Sequence, residues 1–181
     1  MVSFPTSEPT RVTRGELILL RRIVHGDAQT AGLTTVLPLL QTAHRRELKT
    51  EPHWSKEELV RHPEPRELIR SMRKAGNLDQ QGRPMYTLDE RRSLTADIYE
   101  NRVVRKTVES VEERLQVLVE DGAPEVATEA RDLLRELEGA RRRALFLEEV
   151  GPVGRTGVPS ATLTQDPLYR RVMSIRAELA G

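Results

Sequence analysis

An acidic residue upstream of a Glu-x-Lys tripeptide forms the metal-binding end of one kind of nuclease, in which carboxylates hold Mg²⁺ and the lysine polarises the attacking water. One such pattern occurs in this chain, Asp27 with Glu47-Leu48-Lys49. The motif needs its tripeptide on an apolar strand. Here it follows Gln41-Thr42-Ala43-His44-Arg45-Arg46, which has no apolar run, and Gly26-Asp27 reads as the stop of a helix. The histidines His25, His44, His53 and His62 stand singly, without the i,i+4 spacing of a helix-borne metal site. Cysteine is absent, which removes thiolate nucleophiles, thiolate ligands and disulfides. There is neither a Gly-rich phosphate loop ending in Lys-Ser or Lys-Thr nor a Gly-x-Ser-x-Gly elbow. The sequence therefore predicts no catalytic residue, no metal site and no cofactor.

Two other groups of residues stand out. Asp97-Ile98-Tyr99-Glu100-Asn101-Arg102 is a compact polar cluster at the head of a long apolar seam. Glu100, Asn101 and Arg102 serve there either as a contact site or as structural registry. In the structural reading Asp97 caps the helix, Glu100 is the acid of a capping box, and Arg102 pairs with an acid of a neighbouring helix. The second group is basic: Arg11 with Arg14, Arg21-Arg22, Arg45-Arg46, Arg91-Arg92, Arg141-Arg142-Arg143 and Arg170-Arg171. Such pairs can contact phosphates, or pair with the abundant glutamates on solvated helix faces. Arg141, Arg142 and Arg143 resist the second reading most, because three consecutive guanidinium groups wrap around a helix and cannot all find partners on one face.

The bulk numbers bound these readings. The chain has 181 residues, with 29 basic against 28 acidic ones, so no global field steers it to nucleic acid and any basic surface is local. Aromatic residues make up only 3%, so a core must come from Leu, Val, Ile and Ala, which suits helix-on-helix packing. No apolar run approaches a membrane span and the N-terminus lacks a signal-peptide pattern, so the expectation is a soluble, cytoplasmic protein with no membrane partner.

The elements follow from periodicity and punctuation. Residues 1–14 read as a flexible lead-in, and 15–96 as a small helical region with Pro-rich connections. Within it the pattern predicts a helix from near Gly15 to Val24, and a second through Val36 to Leu40 toward Arg46 with Pro38 near its first turn. A short helix Lys56 to Arg61 follows, capped by Ser55 with Glu58, then another from Pro65 to about Ala75 closed by Gly76-Asn77. Asn77 to Glu90 reads as a surface loop that leaves room for one short strand at Met85-Tyr86-Thr87-Leu88.

Residues 97–150 read as an antiparallel helical hairpin. Val104, Val108, Val111, Leu115 and Leu118 alternate four- and three-residue steps, and after Gly122-Ala123-Pro124 so do Val126, Ala130, Leu133, Leu137, Ala140, Ala144 and Leu147. Residues 151–165 read as a Gly/Pro linker, and 166–181 as a C-terminal helix opened by Asp166-Pro167 with Leu168, Val172, Ile175 and Leu179 on one face. The predicted fold class is all-α, a helical bundle built around the hairpin, with at most one short strand pair.

The run Asp-Ile-Tyr-Glu-Asn-Arg-Val-Val-Arg-Lys from Asp97 to Lys106, with Thr162-Leu163-Thr164-Gln165-Asp166-Pro167-Leu168-Tyr169-Arg170-Arg171-Val172, resembles the helical front part of restriction-endonuclease-like proteins related to the McrC subunit of modification-dependent restriction. The resemblance implies a PD-(D/E)xK nuclease core downstream, acting on DNA in phage defence, often with an AAA+ NTPase partner; that core is not among these residues. What it leaves for this chain is a non-catalytic module or split subunit that contacts DNA or docks a separately encoded nuclease or ATPase. By resemblance and charge, Glu100, Asn101, Arg102, Arg141, Arg142, Arg143, Tyr169, Arg170 and Arg171 are the expected contact residues. The alternative is a structural helical adaptor that self-associates through seam surface and never touches nucleic acid.

Overall fold

The computed structural model describes residues 10–56, 59–60, 64–153 and 160–180. They form α1 (Thr10–His25), α2 (Leu33–Ala43), β1 (Glu47–Lys56), α3 (Pro65–Met72), β2 (Tyr86–Thr95), α4 (Tyr99–Asp121), α5 (Pro124–Arg143), a 3₁₀ turn (Leu145–Glu148), α6 (Ala161–Gln165) and α7 (Pro167–Ala180). The fold is predominantly helical, with one two-stranded antiparallel ribbon. No helix is long and apolar enough to cross a membrane among the described residues. Two compact units divide the chain: the residues up to 46 together with those from 96 onward, and residues 47–95 between them.

The first unit is a helical bundle, and its core follows the predicted seams. Val104, Val108, Val111, Leu115 and Leu118 of α4 are all buried, facing Val126, Ala130, Leu133, Leu137 and Ala140 of α5. Gly122 and Ala123 reverse the chain, and Arg141 bonds Glu112 across the pair, so the two helices run antiparallel. Leu20, Ile23 and Val24 of α1, Leu33, Val36, Leu37 and Leu40 of α2, and Val172 and Ile175 of α7 complete the same core. Every member of that cluster belongs to this unit; residues 47–95 supply none. A side chain such as Leu115 contributes roughly 1.5–3 kcal/mol by leaving water.

Several local expectations shift. α1 begins at Thr10 rather than near Gly15, and α2 ends at Ala43 with Pro38 inside it rather than in its first turn. α5 ends at Arg143, so Ala144 and Leu147 reach the core from a 3₁₀ turn, not a longer helix. The expected linker 151–165 contains α6 at Ala161–Gln165; its residues 154–159 lie outside the described ones, as do residues 1–9 of the expected lead-in. The stop at Gly26 is as read: φ is 89°, and a Cβ there would meet Thr30 O at 2.4 Å. Asp166 caps α7, accepting the Leu168 and Tyr169 amides at 2.9 and 3.3 Å.

The second unit departs most from the sequence reading. Glu47–Lys56, expected as a Pro-rich connection leading to a Ser55-capped helix, is a ten-residue strand; the Glu58 half of that capping box lies outside the described residues. Tyr86–Thr95 is its ten-residue partner rather than a loop with one short strand, in a register that runs from Glu47↔Thr95 to Lys56↔Tyr86. Pro52 sits on β1, whose other edge pairs with no strand among the described residues, the position where a strand tolerates a missing N–H. Asn77 welds α3 to β2: its Nδ2 donates to Ser71 O and Tyr86 O at 2.9 and 2.6 Å, and its Oδ1 accepts the Tyr86 amide at 3.0 Å. Ser71 Oγ accepts the Leu88 amide at 2.8 Å, and Lys74 lies 3.8 Å over the Trp54 ring.

Candidate functional site

The head of α4 and the start of α7 meet in the bundle. Ile98, not Asp97, occupies the N-cap of α4, and no side chain caps it, so the expected capping box does not form. Asp97 instead receives Arg102 from both prongs, Nε to Oδ1 and Nη2 to Oδ2 at 2.7 Å each, and accepts the Gly151 amide at 2.8 Å. That pairing holds the Arg102 guanidinium above its ordinary pKa, first through the hydrogen bonds and against some desolvation. Glu100 is buried and takes the Ser160 hydroxyl on Oε1.

Asn101 and Tyr169, 68 residues apart, are both wholly buried and joined: the Tyr169 hydroxyl donates to Asn101 Oδ1 at 2.6 Å. The same hydroxyl accepts the Arg45 amide at 3.0 Å, while Asn101 Nδ2 donates to Arg45 O at 2.9 Å and Ala96 O at 2.8 Å. Every polar atom of the Asn101 side chain is thereby satisfied, which a fully buried amide requires. Burial pushes the Tyr169 hydroxyl above its ordinary value, the Arg45 amide working the other way, so it stays a protonated donor at neutral pH. The two sequence elements that carry the family resemblance are therefore physically one cluster. Glu100, Asn101 and Tyr169 are held in its interior rather than presented to solvent.

The arginines divide. Arg141 bonds Glu112, and Arg142 lies 3.8 Å from Glu138, so two of the three consecutive guanidinium groups find acids on different faces. Arg171 is anchored, Nε on Ala31 O and Nη1 on Glu178 Oε1, both at 2.8 Å. Arg21 pairs with Glu129, Arg22 with Glu178 at 2.9 Å, and Arg45 bonds Thr162. Arg143 and Arg170 are exposed and carry no ion pair among the described residues. Arg21, Arg22, Arg141, Arg142 and Arg171 are thus already paired with the chain's own acids, whereas Arg143 and Arg170 have no acid among the described residues to compete with a phosphate.

Beside the hairpin lies an open cavity of about 680 Å³, floored by Leu134 and Leu147 and rimmed by Arg105, Glu112, Glu138 and Arg141. Burial raises the Glu112 carboxyl above its ordinary value, and Arg141 opposes that shift. Arg105 pairs with Glu109 at 2.8 Å and bonds Val150 O, and Arg141 bonds Glu112, while Glu113 and Glu148 also line the cavity, so its lining of three arginines and four glutamates offers a ligand no basic excess.

The Glu47-Leu48-Lys49 tripeptide does lie on a strand, against the expectation that its surroundings forbid one. All three side chains are exposed, and Lys49 Nζ is 2.7 Å from Glu51. Asp27 spends Oδ1 on its own turn, accepting the Gln29 and Thr30 amides at 2.8 Å, which with the Thr30 hydroxyl holds its carboxyl below its ordinary value. No group of three acidic or histidine side chains among the described residues is placed to hold a metal. His44, one of the singly placed histidines, stacks on Phe146 with ring centroids 4.6 Å apart and accepts Arg46 Nε at 2.9 Å.

The positions that sequence reasoning missed are the apolar ones of residues 47–95. Leu48 and Leu94 stand directly opposite each other in the ribbon register and are 60% and 63% exposed. Ile69, Met72, Leu78 and Met85 are exposed as well, while Pro84 and Leu88 are the buried apolar side chains among that unit's described residues. A signal existed in the sequence, Leu48 between Glu47 and Lys49 and Leu94 between Ser93 and Thr95, but without the pairing they look like isolated apolar residues.

Residues 4–175 match the model of a family described as a domain of unknown function, DUF2357. No curated protein and no solved structure matches the chain.

Proposed function

The chain belongs to the DUF2357 family, and we propose that it is a non-catalytic helical module of a McrC-like DNA-restriction and phage-defence system, one that docks a separately encoded nuclease or AAA+ NTPase through residues 47–95. The observation that carries this reading is the directly opposed, exposed pair Leu48 and Leu94. A cross-strand leucine pair has Cβ atoms roughly 5 Å apart, and leaving it in water forgoes about 25 cal/mol for each Å² of apolar surface. Ile69, Met72 and Met85 are further exposed apolar side chains of the same small unit, nearer the Tyr86 end of the ribbon, and solvated apolar side chains of this kind are what a protein partner would cover. The bundle supports the same reading from the other side: its arginines are mostly engaged by its own acids, so protein docking is favoured over DNA contact.

The test mixes the purified chain with a McrC-like nuclease or AAA+ NTPase from the same source and reads mass by light scattering. The expected result is a stable complex that Leu48→Lys with Leu94→Lys removes. Separate elution at micromolar concentrations, together with duplex DNA binding that falls steeply with salt and depends on Arg143 and Arg170, would replace docking by DNA contact. Mass that rises with the chain's own concentration would instead favour the self-associating adaptor.

A further inference from the structure

Residues 47–95 leave the bundle after Arg46 and return to it at Ala96. The last bundle carbonyl but one before departure, Arg45 O, and the first after return, Ala96 O, are both hydrogen-bonded by the same side-chain nitrogen, Asn101 Nδ2, at 2.9 and 2.8 Å. Tyr169 then closes a ring of bonds around that junction, taking the Arg45 amide at 3.0 Å and giving its hydroxyl proton to Asn101 Oδ1 at 2.6 Å. We infer that Asn101 is a clasp holding together the two chain crossings at the base of the inserted unit, and that Tyr169 couples this clasp to the docking of α7.

Three features support a coupled device rather than an ordinary core contact. The four groups come from separate pieces of chain, the segment between α2 and β1, the segment before α4, α4 itself and α7, so no single element imposes the arrangement. The bundle's apolar core cluster takes in Ala96, the first residue after the return, but no described residue of 47–95, so the polar ring stands where that cluster ends along the chain. If α7 moves away, Asn101 Oδ1 loses its donor and the Arg45 amide its acceptor in one event, both in a buried setting where an unmade bond is costly. By linkage the effect runs both ways: whatever spreads the crossings also loosens α7.

Hydrogen exchange on the full chain tests this, comparing wild type with Tyr169→Phe, which deletes one oxygen and keeps the ring. The Arg45 amide loses its own acceptor in the variant and carries no information. The diagnostic amides are Ile98, just after the returning strand and bonded to Ala96 O at 2.8 Å, a bond the substitution leaves in place, and Thr95, the residue opposite Glu47 at the end of the ribbon. Tyr169→Phe should raise exchange at these by about tenfold relative to Leu115 and Leu137 in the hairpin core. Leu133→Ala, a buried change in α5 outside both the clasp and α7, serves as the control and should raise exchange without singling out the base. Unchanged exchange at Ile98 and Thr95 in Tyr169→Phe, or a rise shared equally with the hairpin core, would overturn the coupling. Neither result bears on whether residues 47–95 dock a partner, which the light-scattering test decides separately.

Discussion

Arg102 closes both prongs of its guanidinium on Asp97 at 2.7 Å, and Asp97 is at the same time the acceptor of the Gly151 amide at 2.8 Å. The carboxylate therefore fastens the end of the segment after α5 to the head of α4 through one residue. The two partners are not equivalent. Arg102→Ala removes the pair, about a third exposed, and should cost about 1 kcal/mol, whereas Asp97→Ala also strands the Gly151 amide and should cost roughly 1 kcal/mol more. Urea unfolding of the two variants checks the order, and added salt should narrow the loss in Arg102→Ala.

Asn101→Asp is isosteric yet replaces the donor amide by an oxygen facing the carbonyls of Arg45 and Ala96. The site is wholly buried, so the variant meets either an uncompensated charge or repulsion between acceptors, and should lose about 2–4 kcal/mol at neutral pH. A loss below that of Asn101→Ala in the same denaturation series would show that the amide's donors contribute little.

Glu178 joins Arg22 and Arg171 through its two oxygens. Burial works to raise its carboxyl, but the hydrogen bonds from Arg171 and Arg22 outweigh it and hold the group below its ordinary value of 4.5. A lowered folded value means stability that is present above that ordinary value and is lost as pH falls through the folded one. Glu178→Ala, which leaves the largely buried Arg171 short of an acceptor, should cost about 2 kcal/mol at neutral pH, and the gap to wild type should shrink on acidification below 4.5.

Glu112 behaves in the opposite sense. Burial raises its carboxyl above 4.5, with Arg141 opposing, so the folded state holds the proton more tightly than the unfolded one. Stability from this group is present below 4.5 and is lost as pH rises through the raised value. Glu112→Gln keeps an acceptor for Arg141 without the charge. Its stability relative to wild type should therefore improve as pH rises from 4.5 toward neutrality, read from denaturation midpoints across that range.

The helical half of the fold was legible because burial writes a 3.6-residue period into local sequence: the seam from Val104 to Leu118, the turn at Gly122-Ala123 and the Asp166 cap all follow from neighbours close in the chain. The ribbon was not. Its register joins Glu47 to Thr95 and Lys56 to Tyr86, pairings that no local window contains, and its mostly solvated faces carry charges where a half-buried strand would alternate apolar residues. The candidate cluster was half legible. Glu100, Asn101, Arg102 and Tyr169 stand out by type, but the partners that settle their setting, Arg45 O, Ala96 O and Gly151 N, are backbone atoms, which sequence does not distinguish.

The exposed pair Leu48 and Leu94 separates docking from folding. Each is more than half solvated, so Leu48→Lys with Leu94→Lys should change unfolding free energy by less than about 0.5 kcal/mol per site. Leu88, 5% exposed and the partner of Trp54 in the ribbon, is the contrasting position in the same unit. Leu88→Ala should cost about 2–3 kcal/mol and, because the bundle core contains no residue of 47–95, that loss should fall on this unit alone. Tryptophan fluorescence reports the unit through Trp54, the one tryptophan of the chain, while far-ultraviolet circular dichroism is dominated by the bundle. In Leu88→Ala the fluorescence transition should move to lower urea while the dichroism transition stays in place. Both transitions moving together would mean that the two units unfold as one.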